Sequence, residues 1–246
     1  MIAAETKINE FVSRLRAAAG PNLTSVILYG SAAAGDHVPD LSDTNLLCVL
    51  TETSFAELRK LAPAVEWWTN DKNRAPLLIG ADELQRSSDV FSIELLDMQR
   101  SYRVLWGDDV LRTLVIPTVF HRVQLEYELR EKTILLRQGL ISSGGSAKRM
   151  WELMLRSLPA FATLFRHALL ELGEPPAGSK NEAIERLAAR VGFDPKAFLQ
   201  LLDVRAHKSN PKTIDVNDLF ARYLKEVEQV TSAVDKMLDS PRPGRA

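Results

Sequence analysis

The 246-residue chain has one cysteine, Cys48, so it can form neither a disulfide framework nor a zinc site of Cys and His at the usual spacing. Long apolar runs are missing as well: none approaches the roughly 20 residues that cross a bilayer. The N-terminal stretch reads as a polar amphipathic helix rather than a signal sequence, so a cytoplasmic protein with no membrane partner is expected. No Gly-rich loop closes on Lys-Ser or Lys-Thr, which excludes the P-loop mode of phosphate binding. Charge of one sign is scarce, the net value being −1. With no basic run interleaved with aromatics, extended nucleic acid is excluded as a partner.

The near-zero charge conceals a difference between the halves. Residues 1–116 hold 11 Lys+Arg against 16 Asp+Glu, and residues 117–246 hold 20 against 16. An acidic first part suits a metal site and a basic second part suits a phosphate tail, although differences of this size are ordinarily solvated helix faces. Hydrophobic residues make up 46% of the chain, enough for one large core or two modest ones.

Periodicity divides the chain at about residue 117. Ile8, Phe11, Val12 and Leu15 have helical spacing and end at a Gly20-Pro21 break. Ser25 to Tyr29 is a short β-branched run that reads as a buried strand, and Asn45 to Leu50 is a second. Thr53 or Ser54 caps a helix through about Trp68, with Phe55, Leu58, Leu61 and Val65 on its apolar side. Trp67-Trp68 is expected in a core or a domain contact rather than on a base-stacking platform. Arg74 to Gly80 is a third strand, with Pro76 placing its start at a sheet edge. Residues 90–98 fit either a strand, with Ser92, Glu94 and Leu96 on one face, or a helix, with Phe91, Leu95, Met98 and Tyr102 in a stripe.

From Val119 the pattern is helical throughout. Long helices over about 119–142, 147–172, 181–191, 195–207 and 216–238 are separated by short turns, which implies an antiparallel bundle over 117–239. Pro159 predicts a kink in the second of them. Residues 240–246 read as a disordered tail.

The chemistry lies between the first two strands. Gly30 permits a tight turn after Tyr29, and Ser31 can cap the helix that Ala32-Ala33-Ala34 begins, leaving backbone N–H groups for a phosphate. Eleven residues on, Ser42-Asp43-Thr44-Asn45 enters the second strand. Residues two apart on a strand share a face, so Asp43 and Asn45 project together toward whatever Ser31 holds. Two oxygen ligands at that spacing suit Mg²⁺ completed by phosphate oxygens and water. An amide offers an oxygen without charge, so the pair binds metal more weakly than two carboxylates would.

This combination of apolar strand, Gly30-Ser31, Asp43-x-Asn45 and second apolar strand resembles the signature of the nucleotidyltransferase-fold superfamily. Weaker support comes from Val104-Leu105-Trp106-Gly107. With a helical half behind it, the chain is similar to the aminoglycoside and minimal nucleotidyltransferases of bacteria. The resemblance implies an α/β fold: a nucleotidyltransferase domain with a small mixed sheet over 1–116, followed by an all-α helical bundle. It implies transfer of a nucleoside monophosphate from a nucleoside triphosphate such as ATP to a small-molecule or protein hydroxyl acceptor, with Mg²⁺ as cofactor and the acceptor held between domains. Gly30 and Ser31 would bind the nucleotide, Asp43 would be catalytic and bind metal, and Asn45 would take the second metal-ligand position. The family's third carboxylate, a general base or metal ligand set in an apolar strand, falls on Glu94, with Asp97 in reserve. A catalytically impaired binding, regulatory or antitoxin-like module is the alternative, and a homodimer stays open. His37, Arg166-His167 and Arg205-Ala206-His207 form no spacing tied to a reaction.

Overall fold

The computed structural model describes residues 2–34 and 44–238, with side chains over 5–34 and 44–236. The motif residues Asp43 and His37 and the tail 240–246 therefore lie outside the described residues. The chain divides into two compact units, Met1–Thr118 and Val119–Ala246.

The first unit is built on four strands, β1 (Leu23–Tyr29), β2 (Asn45–Leu50), β3 (Leu77–Gly80) and β4 (Tyr102–Gly107), in the order β3-β2-β1-β4. β1 runs antiparallel to β2 and β4, while β2 and β3 are parallel, so the sheet is mixed as expected. Alternation along β1 and β2 sends Val26, Leu28, Leu46, Cys48 and Leu50 to one face, where α1 (Ile2–Ala19) and α3 (Phe55–Thr69) cover them. The other face carries Ile27, Leu47 and Val49 against α4 (Ala81–Arg86), α5 (Ser92–Arg100) and the segment with Leu111 and Leu114. By the same alternation Tyr29 and Asn45 belong to the α5 face.

Cys48 is fully buried, and burial pushes its thiol up to about 12. It is an apolar filler, as its place in a buried strand implies. Trp68, 1% exposed, stacks on Phe11 with ring centroids 4.7 Å apart, so its role is in the core. Of the expected stripe on α3, Leu61 and Val65 pack against the core while Phe55 and Leu58 do not. Leu61, Ala64 and Trp68 are buried, whereas Phe55 is 77% exposed and holds Arg59 against its ring. Ser54 caps this helix by accepting the Glu57 N–H, so the residue before Phe55 fixes where the helix begins.

The second unit comprises α6 (His121–Ser142), α7 (Ala147–Glu171), α8 (Lys180–Val191), α9 (Lys196–Arg205) and α10 (Val216–Leu238). The long α7 is its spine, touching each of the other four. Its residues Phe161 and Phe165 meet Phe198 of α9, and Phe161 also meets Tyr223 of α10, in an aromatic core with centroids 4.8–6.5 Å apart. The helix runs unbroken through Pro159. That proline cannot donate to the carbonyl of Leu155, and the buried Arg205 supplies the missing donor at 2.9 Å.

Candidate functional site

At the end of β1 the backbone turns through Gly30, whose φ of 75° suits glycine. Its N–H donates to the Ser101 carbonyl at 3.1 Å, and its own carbonyl accepts from Ala33 and Ala34 at 3.0 Å. Gly30 therefore fills the cap position expected for Ser31, which becomes the first residue of α2 (Ser31–Ala34). A helix of one turn has little dipole, so what it offers an anion is the local N–H groups rather than a macrodipole.

Strand pairing brings the described motif residues together. Tyr29 lies opposite Asn45 on one side and Tyr102 on the other. A Cβ placed on Gly30 would stand 3.4 Å from the Asn45 side-chain nitrogen, so the amide lies directly over the turn. Gly30, Ser31 and Asn45 thus occupy one end of the sheet, as their spacing suggests.

Glu94 is placed differently from the family pattern. It sits in α5, so the helical reading of 90–98 holds, with Leu95 and Met98 buried and Glu94 exposed. The strand beside β2 is instead β3, Leu77–Gly80, which carries no acidic residue. Glu94 nevertheless acts electrostatically on Tyr29, the last residue of β1. Burial raises the Tyr29 phenol most, the Arg74 guanidinium opposes that rise, and the Glu94 carboxylate adds to it. Both charges are thus near enough to act on the half-buried tyrosine beside the Gly30 turn. Asp97, half-buried one turn further along α5, is the reserve carboxylate.

No local motif marks Arg74 or Tyr29 as part of the site. The sequence pattern predicts a strand from Arg74, yet β3 begins at Leu77 and Arg74 lies in the segment leading to it. The one local signal is Pro76 two residues later; the parallel pairing of β3 with β2, which brings this segment beside Asn45, is not encoded locally.

The described donor set does not fit a magnesium centre of the two-carboxylate type. Asn45 gives one neutral oxygen and Glu94 one carboxylate from a separate helix, and among the described residues no three His, Cys, Asp or Glu side chains gather around a common point.

Two other polar features lie in the helical unit. Glu171 Oε1 is 2.7 Å from His121 Nδ1, and His121 Nε2 is 2.8 Å from His167 Nδ1, a buried hydrogen-bonded run between α6 and α7. A groove of about 340 Å³ between α6 and α10 has Thr133 and Thr231 among its lining residues. Its arginines are already engaged, Arg130 with Asp235 and Arg137 with Glu228.

No family model and no curated protein matches the chain. Among solved structures, the spectinomycin adenyltransferase AAD(9) from Enterococcus faecialis, with ATP and spectinomycin, is 15% identical with a TM-score of 0.59, covering 94% of this chain and 99% of that one. A nucleotidyltransferase-like protein from Exiguobacterium sibiricum 255-15 is 15% identical with a TM-score of 0.38, covering 96% and 82% respectively. A toxin-antitoxin with AMP-PNP is 14% identical with a TM-score of 0.32 over 56% of this chain and 98% of that one. The match to the adenyltransferase spans almost the whole of both chains, and the mixed sheet places Gly30, Ser31 and Asn45 at one end. The chain has the nucleotidyltransferase fold.

Proposed function

We propose that this protein is a nucleotidyltransferase that moves a nucleoside monophosphate from a nucleoside triphosphate to a hydroxyl on a small molecule or a protein. The hydroxyl oxygen attacks the α-phosphorus, the bond to the bridging oxygen of the β-phosphate breaks, and pyrophosphate leaves. Gly30 and Ser31 hold the triphosphate, and Glu94 takes the hydroxyl proton as general base. For turnover, Asp43 and Asn45 would hold a Mg²⁺ ion, which would supply charge stabilisation at the α-phosphate. The neutral amide leaves that pair short of one charge.

The observation that carries this reading is the register Tyr29↔Asn45, which sets the amide over the Gly30 turn. The likeness to an adenyltransferase described with ATP supports an adenine nucleotide as the first to try. The test is pyrophosphate release from each of the four nucleoside triphosphates, with spectinomycin and a panel of other hydroxyl compounds as acceptors. Release that falls at least a hundredfold in Asp43→Ala supports the reading. An unchanged rate in that variant places the activity elsewhere.

A second reading, a nucleotide-binding module without efficient turnover, is favoured by one feature: Asn45 stands at the second metal-ligand position. Asn45→Asp separates the two. A tenfold gain in rate, about 1.4 kcal/mol of barrier, shows that the remaining machinery is intact, and no gain in a correctly folded variant favours the binding module.

A further inference from the structure

The shortage of carboxylates around Asn45 among the described residues has a counterpart on the same sheet end. The parallel pair β2 and β3 is in register at Leu47↔Leu77, so the chain entering β3 comes in beside Asn45, which starts β2. Arg74 lies on that entering segment. Its backbone is fixed, because the buried Trp68 donates its indole N–H to the Arg74 carbonyl at 2.8 Å, while Asn73 donates to the Trp68 carbonyl at 3.1 Å. The side chain is exposed, and its guanidinium acts on the Tyr29 phenol, next to Gly30. An anchored main chain carrying an exposed guanidinium is suited to receive an anion, since arginine keeps its charge and can meet phosphate oxygens in a two-pronged way.

The geometry points to Arg74 as a triphosphate ligand that takes over charge neutralisation ordinarily left to a divalent ion, so that nucleoside triphosphate binds this protein without metal. The inference rests on the nucleotide site proposed above and assigns a residue and a metal-independence to it. Asn45 and Arg74 act in one direction: the amide removes negative charge that would hold a cation, and the guanidinium adds positive charge that holds the phosphates directly.

Calorimetric titration of the full chain with each of the four nucleoside triphosphates, first with EDTA and then with Mg²⁺, tests this without requiring turnover. The expected result is saturable binding in EDTA that weakens at least tenfold in Arg74→Ala and recovers in part in Arg74→Lys, with melting temperatures of both variants near that of the parent. Asn45→Asp should weaken binding in EDTA and strengthen the response to Mg²⁺. Binding that needs Mg²⁺, or that is the same in Arg74→Ala, overturns the assignment while leaving the nucleotide site in place. No binding under either condition removes both.

Discussion

Gly107, Cys48 and the Gly30 turn show how single side chains, or their absence, fix the mixed-sheet unit. Gly107 ends β4 with φ 79°, and a Cβ there would stand 2.1 Å from the Thr24 carbonyl oxygen. Gly107→Ala must both adopt a left-handed backbone and push β1 away. The expected loss is at least about 2 kcal/mol, read from denaturant midpoints. Gly30 has φ 75° but meets only the Asn45 amide, so Gly30→Ala is expected to cost less stability and more nucleotide affinity. Cys48 is predicted to resist thiol reagents in the native protein and to react once denaturant unfolds it, because its thiol is buried and its pKa is pushed up to about 12. Rapid native labelling would contradict that position. At this scale the sequence was legible wherever identity sets chemistry locally, as in Gly30, Ser31 and Asn45. Arg74 and Tyr29 were not, since their relevance comes from strand pairing between segments far apart in the chain.

The elements were readable where apolar periodicity was strong and misread where it was shared between two faces. The five bundle helices fall close to the spans that their turns mark. In α3 Leu61 and Val65 of the expected stripe pack, but the packed side continues through Ala64 and Trp68 rather than Phe55 and Leu58, because the indole stacks on Phe11 and bonds the Arg74 carbonyl. Residues 90–98 satisfy both periods, and only burial of Leu95 and Met98 against the sheet decides for α5. α7 offers a direct test of how one element depends on another. Arg205, 8% exposed, donates to the Leu155 carbonyl that Pro159 cannot serve. Arg205→Met leaves that buried carbonyl without its donor and should cost about 1–3 kcal/mol. Adding Pro159→Ala restores an N–H at the right place, so the double variant should recover part of the loss. A fully additive double variant would show that the arginine's bond to Leu155 contributes nothing.

At the level of the whole molecule, stability should depend on pH through one buried acid of the helical unit. Glu226, 4% exposed, accepts the Ala197 N–H at 3.3 Å, and burial raises its pKa from 4.5 to about 7 against that hydrogen bond. A raised folded-state value means the native protein holds this proton more tightly than the unfolded chain. Its contribution is complete below pH 4.5 and is lost as pH rises through about 7. Glu226→Gln keeps the shape without the titration, so its melting temperature should fall less than that of the parent between pH 5 and pH 8. Equal falls would place the titration elsewhere. The division into a mixed-sheet unit and a helical unit follows from the change of period near residue 117, whereas the carboxylate geometry depends on how α5 packs, which no local pattern encodes.

The claim on which the account turns is that one end of the sheet, lined by Gly30, Ser31 and Asn45, receives a nucleoside triphosphate. Backbone amide spectra of isotopically labelled protein, recorded through titration with ATP and then with the other three nucleoside triphosphates, address it residue by residue. Saturable shifts concentrated at Gly30 to Ala34, Asn45 and Tyr102 are predicted. Shifts confined to the helical unit, or none with any of the four nucleotides, would contradict it.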